Sequence, residues 1–163
     1  MKILAITNQK GGVGKTTTCV NLAASLASLD KRVLLIDLDP QGNASTGSGI
    51  DKAHLKHSIY HVLIGEKTLQ DVVLRSEKGG YDVAPSNRDL AGAEVELVHE
   101  IAREMRLKHA IAKLKDFYDF VLLDCPPALN LVTVNALTAA NAVMIPMQCE
   151  YYALEGLSDL VNT

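Results

Sequence analysis

Residues 10–17 read Lys-Gly-Gly-Val-Gly-Lys-Thr-Thr, placed directly after the apolar run Ile3–Thr7 and directly before a helix-forming stretch. Residues of these types at this spacing suit the wrapping of an anion. Glycine takes backbone angles closed to other residues, so successive N–H groups can turn inward around a phosphate. Lys15 would place its ammonium on the β and γ phosphates and the Thr16 hydroxyl would hold Mg²⁺, while the opening helix adds its positive dipole end. The expected nucleotide-binding set is Gly11, Gly12, Val13, Gly14, Lys15, Thr16 and Thr17. One position departs from the general G-x-x-x-x-G-K-[ST] pattern: Gln9 stands where the first glycine belongs, with Lys10 beside it.

Two further apolar runs end in acids. Val33-Leu34-Leu35-Ile36 leads into Asp37-Leu38-Asp39-Pro40-Gln41-Gly42-Asn43, and Phe120-Val121-Leu122-Leu123 leads into Asp124-Cys125-Pro126-Pro127. A carboxylate at the C-terminal end of a strand faces the ligand crevice of an open α/β sheet. Asp124 reads as a Walker B acid holding Mg²⁺ directly or through water, because phosphoryl transfer needs the metal to neutralise charge.

With Lys10 just inside the loop, KGGVGKTT resembles the deviant Walker A motif of the ParA/MinD ATPases, and TNQKGGVGKTTTCVNLAASLA is most similar to the ParA (Soj) partition branch. The resemblance implies that Lys10 reaches across a nucleotide-sandwich dimer to the partner's phosphates, as an arginine finger does in trans. DLDPQGN matches the family's switch I pattern, which implies that Asp39 orients or deprotonates the attacking water and that Asp37 supports the metal and the loop. Catalytic roles therefore fall to Lys10, Lys15 and Asp39, and metal roles to Thr16, Asp39 and Asp124. Asp124-Cys125-Pro126-Pro127 resembles switch II.

Positioning these groups requires strands ending beside one another. Strands are expected near 2–7, 32–37, 81–85, 119–124 and 142–147, separated mostly by helical segments. That alternation predicts an α/β fold, a P-loop NTPase with a mostly parallel sheet and helices on both faces. The longest helix should run from about Glu94 to Lys115, where Val98, Ile101, Met105, Leu107, Ile111 and Leu114 recur at near-helical spacing. Its acids come early and its bases late, an order that complements the helix dipole and describes a solvated face. Gly42–Gly49, rich in Gly, Ser, Asn and Thr, suits a mobile switch loop. His54, His57 and His61 invite a metal reading, but Ser58 looks like a helix start that breaks their register, and surface histidines are the expectation.

At 163 residues and 48% apolar, the chain suffices for one domain, 1–163, with a real core. No apolar run approaches a membrane span, and the N-terminus enters a strand, so a cytoplasmic protein with no membrane partner is expected. Cys19, Cys125 and Cys149 are odd in number and widely spaced, which indicates reduced thiols. Residues 143–157 resemble the family closely, yet ParA relatives continue well beyond Thr163. The expectation is a C-terminally truncated chain that lacks the adenine-contacting segment and the basic DNA-binding residues, and whose 142–147 strand is an unprotected sheet edge. A formal charge of −3 agrees with the absence of a general DNA-binding surface.

The resemblance implies a slow, partner-stimulated ATPase with ATP and Mg²⁺ as cofactors. Its ATP-dependent homodimer, a centromere-bound ParB-like protein and non-specific nucleoid DNA would drive chromosome or plasmid segregation. Two alternatives stay open: a MinD-like membrane-cycling ATPase, and an ATP-dependent biosynthetic ligase of the same clan.

Overall fold

The computed structural model describes residues 1–148, the His99 side chain excepted; Cys149 and the 150–157 part of the family-like segment lie outside the described residues. Six strands form one sheet: β1 (Lys2–Ile6), β2 (Val33–Asp37), β3 (Leu74–Ser76), β4 (Tyr81–Ala84), β5 (Phe120–Asp124) and β6 (Ala142–Met144). Their spatial order is β3-β4-β2-β5-β1-β6. All pairings are parallel except β3 with β4. The helices are α1 (Lys15–Ala27), α2 (Asn43–Gly47), α3 (Ile59–Leu63), α4 (Leu69–Val72), α5 (Ala93–Glu96), α6 (Arg106–Ala112) and α7 (Leu131–Ala139).

Central strands of a parallel sheet are buried on both faces, and every residue of β2 is buried. Leu34 and Ile36 join Ala5, Val121 and Leu123 in a core shared with α3, α4, α6 and α7. Val33 and Leu35 join Ile6 and Leu122 on the opposite face, against Cys19 and Ala23 of α1 and Ala44 of α2. The expected layering of helices on both faces is thus present. Register then does the functional work. Ile6 pairs with Asp124, and Asp37 pairs with Asp124, so the phosphate loop and two acids leave the sheet side by side.

β3 was not anticipated. It is three residues long, antiparallel and at the sheet edge, with Leu74 41% exposed, so it carries no apolar signature. β6 ends at Met144 instead of 147. Beyond it the contacts toward β1 pass to side chains, with the Asn8 amide donating to the Pro146 carbonyl at 2.9 Å. Among the described residues β6 is the terminal strand on its side of the sheet. No helix among them is long and apolar enough to cross a membrane.

The continuous helix expected over 94–115 does not form, and α1 is the longest described helix. Glu100 is extended and Ala102 is left-handed at φ 53°. Leu97 and Leu107, on either side of the break, are buried in the core, whereas Val98 and Ile101 stand in solvent, Ile101 at 93% exposure. Asn135 of α7 satisfies the break. Its Oδ1 accepts from the Leu107 N–H at 3.1 Å, and its Nδ2 donates to the carbonyls of Arg103 and Leu131 at 2.9 and 3.0 Å. Asn135 is fully buried, so Asn135→Ala should strip these partners and destabilise the protein by about 2–3 kcal/mol, read as a lower urea midpoint at unchanged slope.

α2 occupies most of Gly42–Gly49, where the composition alone reads as a loop. Ser58 does precede a helix, as expected, and its N–H donates to His61 Nδ1 at 3.2 Å. His57 meets His61 edge-on at 5.2 Å, while exposed His54 pairs with Asp51 at 2.6 Å. His57 and His61, both half-buried, thus share a contact that exposed His54 does not join.

Candidate functional site

The loop between β1 and α1 turns because Gly12 and Gly14 sit at φ 74° and 87°, angles that a side chain strains. Gly14 is the N-cap of α1 and its carbonyl accepts the Thr18 N–H at 2.8 Å, so the helix's first N–H groups open toward the loop. Asn8 braces the entry, its Oδ1 accepting from the Lys10 N–H at 2.9 Å in an Asx-type turn. Gln148 donates to the Gly12 carbonyl at 3.3 Å from the far side.

Lys15 is largely buried and its ammonium donates to the Lys10 carbonyl at 3.0 Å, which folds the side chain back across the loop. Burial pulls its pKa below the usual lysine range, an effect that Asp124 and Asp39 partly offset. The Thr16 hydroxyl donates to Asp124 Oδ2 at 2.8 Å, joining the phosphate loop to the end of β5. Burial pushes Asp124 up to about 7, with Asp37 and Asp39 adding to the rise, while the Thr16 hydroxyl and Lys15 hold it down. Asp124 Oδ1 is buried without a hydrogen-bond partner among the described residues. A half-satisfied buried acid joined to a hydroxyl fits a hard divalent cation, which takes oxygen ligands and stabilises the ionised form.

A cavity of about 400 Å³ is lined by Gly11, Gly12, Gly14, Lys15, Thr16 and Thr17 on one side and by Asp39, Gln41, Asn43 and Pro127 on the other. The structure therefore brings the phosphate loop, switch I and switch II residues around one space, with Asp124 beneath it through Thr16. Besides Asp124, two anticipated residues stand apart from that lining. Val13 is buried, so only its backbone is available to a ligand. Lys10 is exposed. A larger cavity of about 1240 Å³, lined by Pro40, Lys52, Asn87 and Arg88 among others, lies across switch I; it shares Gln41 and Asn43 with the cleft but includes no phosphate-loop residue.

Asp37, expected to support the metal and the loop, spends both carboxylate oxygens on the loop. Its Oδ1 accepts the Asp39 N–H at 3.1 Å, and its Oδ2 accepts both the N–H and the hydroxyl of Ser45 at 2.7 Å each. The carboxylate is thus engaged by the loop. Burial raises its pKa, and the Ser45 and Asp39 donors oppose that rise. Sequence reasoning missed Ser45, and it missed Asn8 as the brace of the phosphate loop. The available signals were a small hydroxyl eight residues after a strand-end acid, and an Asn two residues before the loop lysine.

A family model described as an AAA domain matches residues 1–163. The sporulation initiation inhibitor protein Soj of Bacillus subtilis is 57% identical over 162 residues, covering 99% of this chain and 64% of that protein. The chain belongs to this AAA-domain family, in its ParA/Soj branch. Among solved structures, this ParA-like chain superposes with a TM-score of 0.96 and 43% identity on cobyrinic acid a,c-diamide synthase from Mycobacterium smegmatis with a bound ATP analogue and magnesium, covering 99% of this chain and 66% of that one. A plasmid partition protein from Borrelia burgdorferi matches at TM-score 0.83 and 30% identity, covering 99% and 70%. The ParA-like chain spans less than two thirds of the Soj protein's length.

Proposed function

We propose that this ParA-like chain supplies the catalytic half of a partition ATPase. ATP with Mg²⁺ binds in the cleft, two copies close on the nucleotides, and hydrolysis releases them. The observation that carries the reading is the single cleft in which Lys15, Thr16 and Asp39 face one another above the Thr16–Asp124 bond of 2.8 Å. Gly11, Gly12, Val13 and Gly14 present N–H groups to phosphate oxygens, and Lys15 neutralises their charge. Thr16 and Asp124 would hold Mg²⁺, which supplies charge neutralisation when bound, with Asp39 at its margin. Lys10, exposed in the loop, would act in trans on the nucleotide of a partner copy. Cytoplasmic location, nucleoid association, slow turnover and stimulation by a ParB-like protein complete the proposal.

The 43% identity to a cobyrinic acid a,c-diamide synthase favours one second reading, an ATP-dependent ligase that activates a carboxylate. Steady-state phosphate release separates the two. The partition reading predicts turnover raised by DNA together with a ParB-type protein and indifferent to carboxylate metabolites. Turnover that needs a carboxylate and an amine donor, and ignores DNA, would establish the ligase.

A further inference from the structure

Ser45 does not line the cleft, yet it is completely buried and its hydroxyl is committed in both directions. It accepts the Ser86 N–H at 2.9 Å and donates to Asp37 Oδ2 at 2.7 Å. The Ser45 N–H donates to the same oxygen, and Asp37 Oδ1 accepts the Asp39 N–H at 3.1 Å. An unbroken set of hydrogen bonds therefore runs from the end of β4 through Ser45 and Asp37 to the backbone of Asp39. The stretch between Asp39 and α2 is clamped as well. Lys52 donates to the Gln41 carbonyl at 2.5 Å, and Gly42, at φ 64°, passes so close to Ser86 that a Cβ would lie 2.6 Å from its carbonyl oxygen.

We propose that Ser45 is a positioning residue for hydrolysis: through Asp37 it fixes the Asp39 backbone, and so the place of the Asp39 carboxylate in the cleft. The proposal rests on the reading of Asp39 as the group that orients the attacking water. Hydrolysis is sensitive to such placement, since a displacement near 1 Å at a reacting group costs on the order of 100-fold in rate. Phosphate binding, carried by Lys15 and the loop N–H groups, draws nothing from Ser45.

The test is a double-mutant cycle between Ser45→Ala and Asp39→Ala in the protein expressed from its own gene, reading kcat beside Mg-ATP affinity. Ser45→Ala should lower kcat roughly 10- to 100-fold with affinity within about threefold of the parent, and should lower it no further in the Asp39→Ala background. Wild-type kcat in Ser45→Ala, or losses that multiply in the double variant, would overturn the proposal while leaving Asp39 in its role. Wild-type turnover in Asp39→Ala alone overturns the Asp39 reading instead, and shows itself without Ser45 being touched. Should Ser45→Ala not fold, Ser45→Cys keeps the volume with a weak donor, and an unchanged kcat there would equally overturn the proposal.

Discussion

Lys15→Ala is expected to reduce Mg-ATP affinity by at least 100-fold, to the limit of calorimetric detection, while leaving the fold intact. Hydrogen bonds to charged groups contribute about 1.5–3 kcal/mol each, and in a closed, partly dry cleft an ammonium on two phosphates exceeds one such bond. At about 1.4 kcal/mol per tenfold, the loss passes two orders of magnitude. The fold should tolerate the change because the ammonium's hydrogen bond among the described residues goes to a loop carbonyl, that of Lys10, and burial already lowers the Lys15 pKa. Melting temperature without nucleotide should therefore move little, whereas the rise that Mg-ATP produces should vanish. Lys10→Ala gives the contrast. Its exposed side chain is proposed to act on a partner's nucleotide, so monomer affinity should persist while turnover falls. Near-parental affinity in Lys15→Ala would remove the loop as the phosphate cradle.

The loop between β1 and α1 was readable because its requirements are local: the positive-φ glycines Gly12 and Gly14, the lysine Lys15 and the hydroxyl of Thr16 all fall within five residues. The sheet was readable for a related reason: a strand buried on both faces is continuously apolar, as in Val33–Ile36 and Val121–Leu123. Their relative register was not written in either strand, yet it decides that Asp37 and Asp124 emerge as neighbours.

The failures were places where distant residues override local pattern. Nothing between Glu100 and Ala102 is a helix breaker by type; the break is supported from a distance, by Asn135, more than thirty residues away from Ala102, which receives the released backbone groups. Likewise Gly42–Gly49 has a loop's composition, but Asp37 supplies the acceptor that Ser45 needs and a helical turn results. Asp37 reads from the family pattern as support for the metal and the loop, but the three donors that tie it to the loop, from Asp39 and Ser45, are visible only in the fold. The pattern carries a functional lesson. The residues proposed to bind phosphate are contiguous, whereas those proposed to place Asp39 come from β2, α2 and the stretch after β4, so binding and turnover should separate under mutation.

Asp39→Ala should show that separation most sharply: Mg-ATP affinity within a few-fold of the parent, turnover lowered roughly 100-fold or more, and an ATP-held dimer that persists on size exclusion. The phosphate loop owes none of its described hydrogen bonds to Asp39, whose Oδ1 accepts from the Gln41 N–H at 2.9 Å on the opposite wall of the cleft. Loss of that bond alone would disturb switch I, so Asp39→Asn is the necessary companion. Its amide oxygen can keep the Gln41 contact but it cannot serve as a base, and turnover should stay low. Recovery of turnover in Asp39→Asn would mean that Asp39 acts by shaping the loop and not through its charge. Asp39 is also a proposed metal contact, and a Mg²⁺ titration of ATP affinity distinguishes the two roles. If water placement dominates, the Mg²⁺ dependence of Asp39→Ala should match the parent's, because Thr16 and Asp124 are untouched; if metal binding dominates, the midpoint should move to higher Mg²⁺ while saturating metal restores turnover.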